Sequence, residues 1–151
     1  FRFSAELLEK YKDDKRILCI CSMNQAEVWD KTDCDYFFAE RGPIIGQAMW
    51  KRSYMERDFE LEYGKDPYTM NLLRKKLKKD PAYLKNIEGY AKNPRFGGHI
   101  PGGEFFGRLA VYSQNQLYII PKYNMMCNIG CTANSEHASE YKLLPKKIKK
   151  I

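Results

Sequence analysis

The sequence contains no apolar run near the ~18 residues that a membrane-crossing helix needs. Its longest apolar stretches, at residues 17–21 and 117–121, are strand-sized. Histidine is scarce, with only His99 and His137, so a histidine-rich metal cluster is excluded. The cysteines lack the two-residue spacing of a zinc knuckle: Cys127 and Cys131 are separated by three residues. With His137 they would give three ligands and no evident fourth, and a structural zinc site is not expected. The count of five is odd, and Cys19 and Cys21 lie inside an apolar run. That pattern fits buried free thiols in a reducing compartment better than a disulfide framework. A cytoplasmic location is expected. No internal repeat and no low-complexity tract is present.

The 151 residues correspond to one domain or part of one. The chain is 44% hydrophobic, with 11 Tyr and 8 Phe, which is enough for a packed core. Lys and Arg number 26 against 19 Asp and Glu, giving a net charge of +7. The excess sits on one face of residues 68–79 (Arg74, Lys75, Lys76, Lys78, Lys79) and in the tail at 144–151. No nucleic-acid-binding motif accompanies these lysines, so a solvated helix face is the expected reading and a nucleic-acid partner is not expected. Attraction to an anionic membrane surface stays open.

Residues 4–14 read as a helix, with Ser4 as N-cap and Leu7, Leu8 and Tyr11 on one face. The chain starts at Phe1, already in helix-like sequence, and a fragment of a longer protein is expected. Residues 17–21 read as a buried strand, residues 22–33 as a loop, and Tyr36, Phe37 and Phe38 as an aromatic strand. Arg41-Gly42-Pro43 is turn chemistry, and residues 44–54 lead into a short helix. Residues 66–92 form a helical hairpin with a basic face, its second helix opened by Asp80-Pro81. Residues 93–103 hold four glycines and two prolines and are a loop. A helix resumes at Glu104, Leu117 to Ile120 is a strand ending at Pro121, and residues 125–129 are a strand or an extended segment. A helix feeding a buried strand indicates α/β architecture.

Glu104 follows Gly102 and Gly103 at a helix mouth. A carboxylate there complements the helix dipole, by ~0.3–1 kcal/mol. The same placement would also serve a general base presented from a glycine loop. His99 and His137 are loop residues, and such histidines are usually plain surface residues.

The order of several segments carries a resemblance. They are Tyr36-Phe37-Phe38, then Gly46-Gln47-Ala48-Met49-Trp50-Lys51-Arg52, then Glu104-Phe105-Phe106. Gln114-Asn115-Gln116-Leu117 through Pro121, Asn128-Ile129-Gly130 and His137 follow. This resembles the C-terminal half of bacterial GT-A nucleotide-sugar glycosyltransferases of the hemolytic-protein-like group. Those proteins show an aromatic-Phe-Ser strand, a Trp-Gly-Trp-Ala-Thr-Trp-Lys-Arg stretch and Trp-Asp-Tyr-Gln-Trp. A Pro-ended strand and Ser-Asn-Ile-Gly before a His come next.

The resemblance implies a Rossmann-like GT-A fold, a mixed sheet flanked by helices with the 66–92 hairpin inserted. It makes residues 1–151 the acceptor side of a glycosyltransferase domain whose nucleotide-binding half lies upstream. By it, Glu104 is the general base of an inverting transfer and His137 a ligand to a divalent metal, Mn or Mg, or to the leaving diphosphate. Asn24, Gly46, Trp50, Gly102 and Gly103 would contact substrate. The partners implied are a nucleotide-sugar donor and a glycan or lipid-linked hydroxyl acceptor. Ile45, Gln47 and Met49 stand where the family has Trp, Trp and Thr, and Gly103 and Gly107 replace the tryptophans flanking the base. Asp33-Cys34-Asp35 has Asp-x-Asp spacing but does not follow a hydrophobic strand. The competing expectation is a non-catalytic basic module for an anionic polymer or membrane surface.

Overall fold

A computed structural model of the protein describes residues 2–126. His137, Cys127, Cys131, the Asn128-Ile129-Gly130 motif and the 144–151 tail lie outside the described residues.

Four strands make one mixed sheet: β1 (Ile17–Cys21), β2 (Tyr36–Ala39), β3 (Gln47–Ala48) and β4 (Leu117–Pro121), in the order β2-β4-β1-β3. β1 and β4 run parallel at its centre, while β2 and β3 pair antiparallel at the edges. The central strands read as unbroken apolar runs because both faces are covered. On one face α1 (Arg2–Lys10) packs Leu7 against Ile17, Ile20 and Ile119. On the other, α6 (Gly103–Gln114) packs Ala110 and Val111 against Cys19, Cys21, Tyr118 and Ile120. On β4 the period-two alternation of side chains separates Ile119 from Tyr118 and Ile120, while on β1 a register shift between Ile17 and Cys19 puts Ile17 on the same side as Ile20. This is an α/β fold with helices on both sides of a four-stranded mixed sheet.

The strand expectations at 17–21, 36–38 and 117–121 are matched. The first helix differs at both ends. Ser4 lies inside α1 and is no N-cap, because the chain is already helical at Arg2. The helix stops at Lys10 rather than Asp14, where another set of bonds takes over. Asp14 accepts from the Arg16 backbone N–H, Nε and Nη2 at 3.0, 2.9 and 2.8 Å. These bonds from Arg16 hold the Asp14 carboxyl down at a pKa of about 2. No strand forms at 125–126; Asn124 and Met125 instead bond back to the Glu27 and Ser22 carbonyls.

The middle of the chain holds α2 (Lys51–Met55), α3 (Glu62–Lys65), α4 (Pro67–Lys76) and α5 (Pro81–Lys92). Asp66 and Asp80 cap α4 and α5, each accepting from the backbone N–H three residues on, with Pro at the next position. The hairpin does not close on itself alone. Met70 and Leu73 of α4, Leu77 just past its end, and Tyr83 and Ile87 of α5 meet Phe106, Leu109 and Tyr112 of α6 in one cluster, which Leu61 completes. α3 has no counterpart in the sequence expectations; it packs against both α4 and α5. α6 is therefore shared, with one side on the sheet and another in the helical cluster. Arg74, Lys75, Lys76, Lys78 and Lys79 remain exposed. Among the described residues no helix is long and apolar enough to cross a membrane.

Candidate functional site

Glu104 occupies the first turn of α6, after Gly102, which caps the helix with no side-chain bond. Its side chain is exposed and makes no hydrogen bond or ion pair with the described residues. It lines two adjoining cavities. The inner one, of about 130 Å³, lies between α6 and the turn after β2 and is lined by Glu40, Arg41, Gly42, Glu104, Arg108 and Tyr118. The outer one, of about 290 Å³, extends along α6 toward α5, past Gly102, Phe105 and Tyr83.

Arg108 stands four residues after Glu104 and so shares its helix face. It pairs with Asp80, as does Arg41 at 3.1 Å, so one carboxylate ties the β2–β3 connection to α5 and α6. The Arg108 bond, followed by the Tyr83 backbone N–H, holds the Asp80 carboxyl below the usual carboxylate range. The Arg108 guanidinium lies 3.9 Å over the Tyr83 ring, and the Tyr83 hydroxyl donates to the Phe105 carbonyl at 2.7 Å. The Arg108 Nε is buried with no hydrogen-bond partner among the described residues.

The inner cavity ends on Tyr118. That residue is 5% exposed, and its hydroxyl bonds to no described residue. Burial, then the Cys19 and Cys21 thiols, push its phenol pKa up, so the hydroxyl keeps its proton at neutral pH. Two glycines make room for it. A Cβ on Gly42 would come within 2.8 Å of the Tyr118 ring and 2.9 Å of the Cys21 Sγ. A Cβ on Gly107 would stand 3.3 Å from the Tyr118 hydroxyl and 3.5 Å from Arg57 Nη2. Arg57 donates to the Gly103 carbonyl at 3.4 Å, and its Nε is buried without a partner. Gly107 thus accommodates a phenol and a guanidinium side by side.

The sequence-derived site residues fall into two sets. Gly102 and Glu104 meet at the cavities, and Gly103 adjoins them. Asn24, Gly46 and Trp50 do not join them. Asn24 is buried and fully engaged: its Nδ2 donates to the Pro121 and Lys122 carbonyls at 3.0 and 2.9 Å, and its Oδ1 accepts from the Ala26 N–H at 2.9 Å. Gly46 adopts φ 69° and lies against Met126, where a Cβ would stand 2.2 Å from the Sδ. Its carbonyl accepts the Ser22 N–H at 2.8 Å. Trp50 packs with the α1-side cluster, donating Nε1 to the Leu8 carbonyl at 3.1 Å. Arg52, 4.2 Å over the Trp50 ring, donates to the carbonyls of Tyr11, Lys12 and Asp14 beyond the end of α1. The Trp-Lys-Arg stretch therefore fastens α1 to the sheet.

Sequence reading did not single out Arg41, Arg108 or Tyr118 as site residues. The four-residue step from Glu104 marked Arg108. Strand alternation marked Tyr118 as a neighbour of Cys19 in the α6-facing layer. Nothing in the sequence marked Arg41, whose approach depends on how the β2–β3 connection folds back. Among the described residues no three His, Cys, Asp or Glu side chains come together as a metal-binding group. His137, which the resemblance implies as a ligand to Mn or Mg, lies outside the described residues. Compared with protein-family models, curated proteins and solved structures, the chain matches none.

Proposed function

We propose that the chain is the acceptor-side part of a GT-A-type nucleotide-sugar glycosyltransferase, with Glu104 as the general base. The supporting observation is an uncommitted carboxylate at the mouth of a polar cleft, on a helix braced against the central parallel strand pair. The ordered segments of the resemblance point the same way. A sugar hydroxyl is a weak nucleophile and needs a base within ~2.6–3.2 Å. In this reading Glu104 takes the hydroxyl proton as the oxygen bonds to the anomeric carbon and the bond to the donor's diphosphate breaks. Arg41 and Arg108, fixed by Asp80, orient the acceptor beside the base.

The test is Glu104→Gln in the polypeptide that carries the donor-binding half. Transfer is expected to fall by ~10²–10⁴-fold, the usual share of a general base, with donor binding unchanged. Retained transfer would remove Glu104 from the mechanism.

A further inference from the structure

The outer face of α4 takes no part in the cleft. Met70 and Leu73, with Leu77 just past the helix, form its buried stripe. Tyr68, Leu72 and Lys75 stand on the opposite stripe at helical spacing, and Lys79 in the following turn continues it. Tyr68 is 73% exposed and Leu72 38%, so an aromatic ring and a leucine meet water beside the lysines. Neither side chain turns inward, because the opposite stripe already fills the cluster shared with α5 and α6.

The charge on this face is of one sign. Residues 67–79 hold Arg74, Lys75, Lys76, Lys78 and Lys79 and no acid. The acids at either end are spent: Asp66 accepts the Thr69 N–H at 2.7 Å, and Asp80 holds Arg41 and Arg108. Arg74 pairs with Glu88 at 2.7 Å, and Lys76 donates to the Tyr112 carbonyl at 2.8 Å. Lys75, Lys78 and Lys79 are exposed and have no partner among the described residues.

A merely solvated face accounts for the lysines but not for the apolar pair that shares their stripe. The mixture decides the class of partner. A nucleic-acid strand is tracked by a basic groove and stacks on successive aromatic rings. Here the surface is the outside of a helix, with one ring and a leucine. An anionic bilayer uses all of it. Phosphate headgroups meet the lysines, whose stems lie along apolar surface, while Tyr68 sits at headgroup level and Leu72 enters the acyl boundary.

We propose that the outer face of α4, with Tyr68, Leu72, Lys75, Lys78 and Lys79, docks the protein on a bilayer surface rich in acidic lipids, the helix axis lying in the membrane plane. The docking stands apart from the glycosyl-transfer reading, since it needs neither Glu104 nor the cleft.

The test is co-sedimentation of the intact protein with vesicles of phosphatidylcholine alone and of equal parts phosphatidylcholine and phosphatidylglycerol. Binding is expected to the mixed vesicles only, fading as salt is raised to about 1 M. Lys75→Gln, Lys78→Gln and Lys79→Gln together should weaken it about 100-fold, about fivefold for each lysine. Tyr68→Ser with Leu72→Ser leaves the charge unchanged and should weaken it about tenfold. A thermal melt checks each fold; should the triple variant fail to fold, Lys79→Gln alone is read for its fivefold loss. The proposal is overturned if mixed vesicles do not bind, or if the lysine variant binds them equally well, which would place the contact elsewhere on the chain. It is also overturned if the serine pair binds them unchanged. Single-stranded DNA that binds more tightly than the vesicles and loses affinity in the serine pair would overturn it in favour of a nucleic-acid surface.

Discussion

Asn24 and Tyr118 are both buried polar residues, one just past the end of β1 and the other on β4, and they are used in opposite ways. Around Asn24 every polar atom of the side chain is spent on backbone, fastening the 22–28 loop to the segment after β4. Among the described residues the Tyr118 hydroxyl has no hydrogen-bond partner, the neighbouring Glu104 is unpaired, and two arginines share the Asp80 carboxylate. The first region is complete by itself. The second keeps its hydrogen-bonding capacity on the wall of the cleft. A hydroxyl on a cleft wall stays available to water, whereas a buried amide must spend its hydrogen-bonding capacity inside the protein.

Substitutions can break this contrast. The largest effect is expected on the layer behind both regions: Ile119→Ala, at a fully buried position, should cost about 2–5 kcal/mol in urea unfolding. A smaller loss would mean that the two sheet faces are less tightly joined than described. Asn24→Ala should cost about 1–3 kcal/mol, because two carbonyls lose their donor inside the protein. If it is neutral, the Asn24 region is not the closed unit drawn here.

Asp80→Asn tests the brace between the regions through pH. The Asp80 carboxyl is held below its ordinary value by Arg108 first, so its stabilisation is present above the unfolded value near ~3.9 and is lost as pH falls through the folded one. Its pairs are partly solvent-exposed, and the effect at pH 7 should be about 1 kcal/mol or less. Thermal melts of the two proteins should differ at pH 7 and converge toward pH 2. A gap that persists at low pH would assign the effect to the helix cap rather than to charge. The smallest change is expected for Tyr118→Phe, within about 0.5 kcal/mol, since its hydroxyl bonds none of the described residues. A cost like that of Asn24→Ala would show a bonded hydroxyl and erase the contrast.

The elements legible in the sequence were those fixed by local chemistry. The apolar runs at Ile17–Cys21 and Leu117–Pro121 read as buried strands, and Asp80-Pro81 set the start of α5. The α1 boundaries were misread because Ser4 is a good cap only where the chain is not already helical, and because Arg16 captures Asp14 in a local turn. Trp50 was read as a substrate contact from its motif, whereas its indole N–H is taken by the Leu8 carbonyl 42 residues away. Such a bond has no signature in local sequence.

What the sequence determined alone was the α/β class, the main strands and helices except the short α3, and the carboxylate at the start of α6, because periodicity, capping and chain stiffness act over a few residues. What only the tertiary structure decided was which polar groups remain free. Whether a hydroxyl or a carboxylate finds a partner depends on what the distant turn at Arg41 and Gly42 and the cap at Asp80 bring beside it. Those approaches are set by the packing of α6 between sheet and helices, where spacing along the chain carries no information.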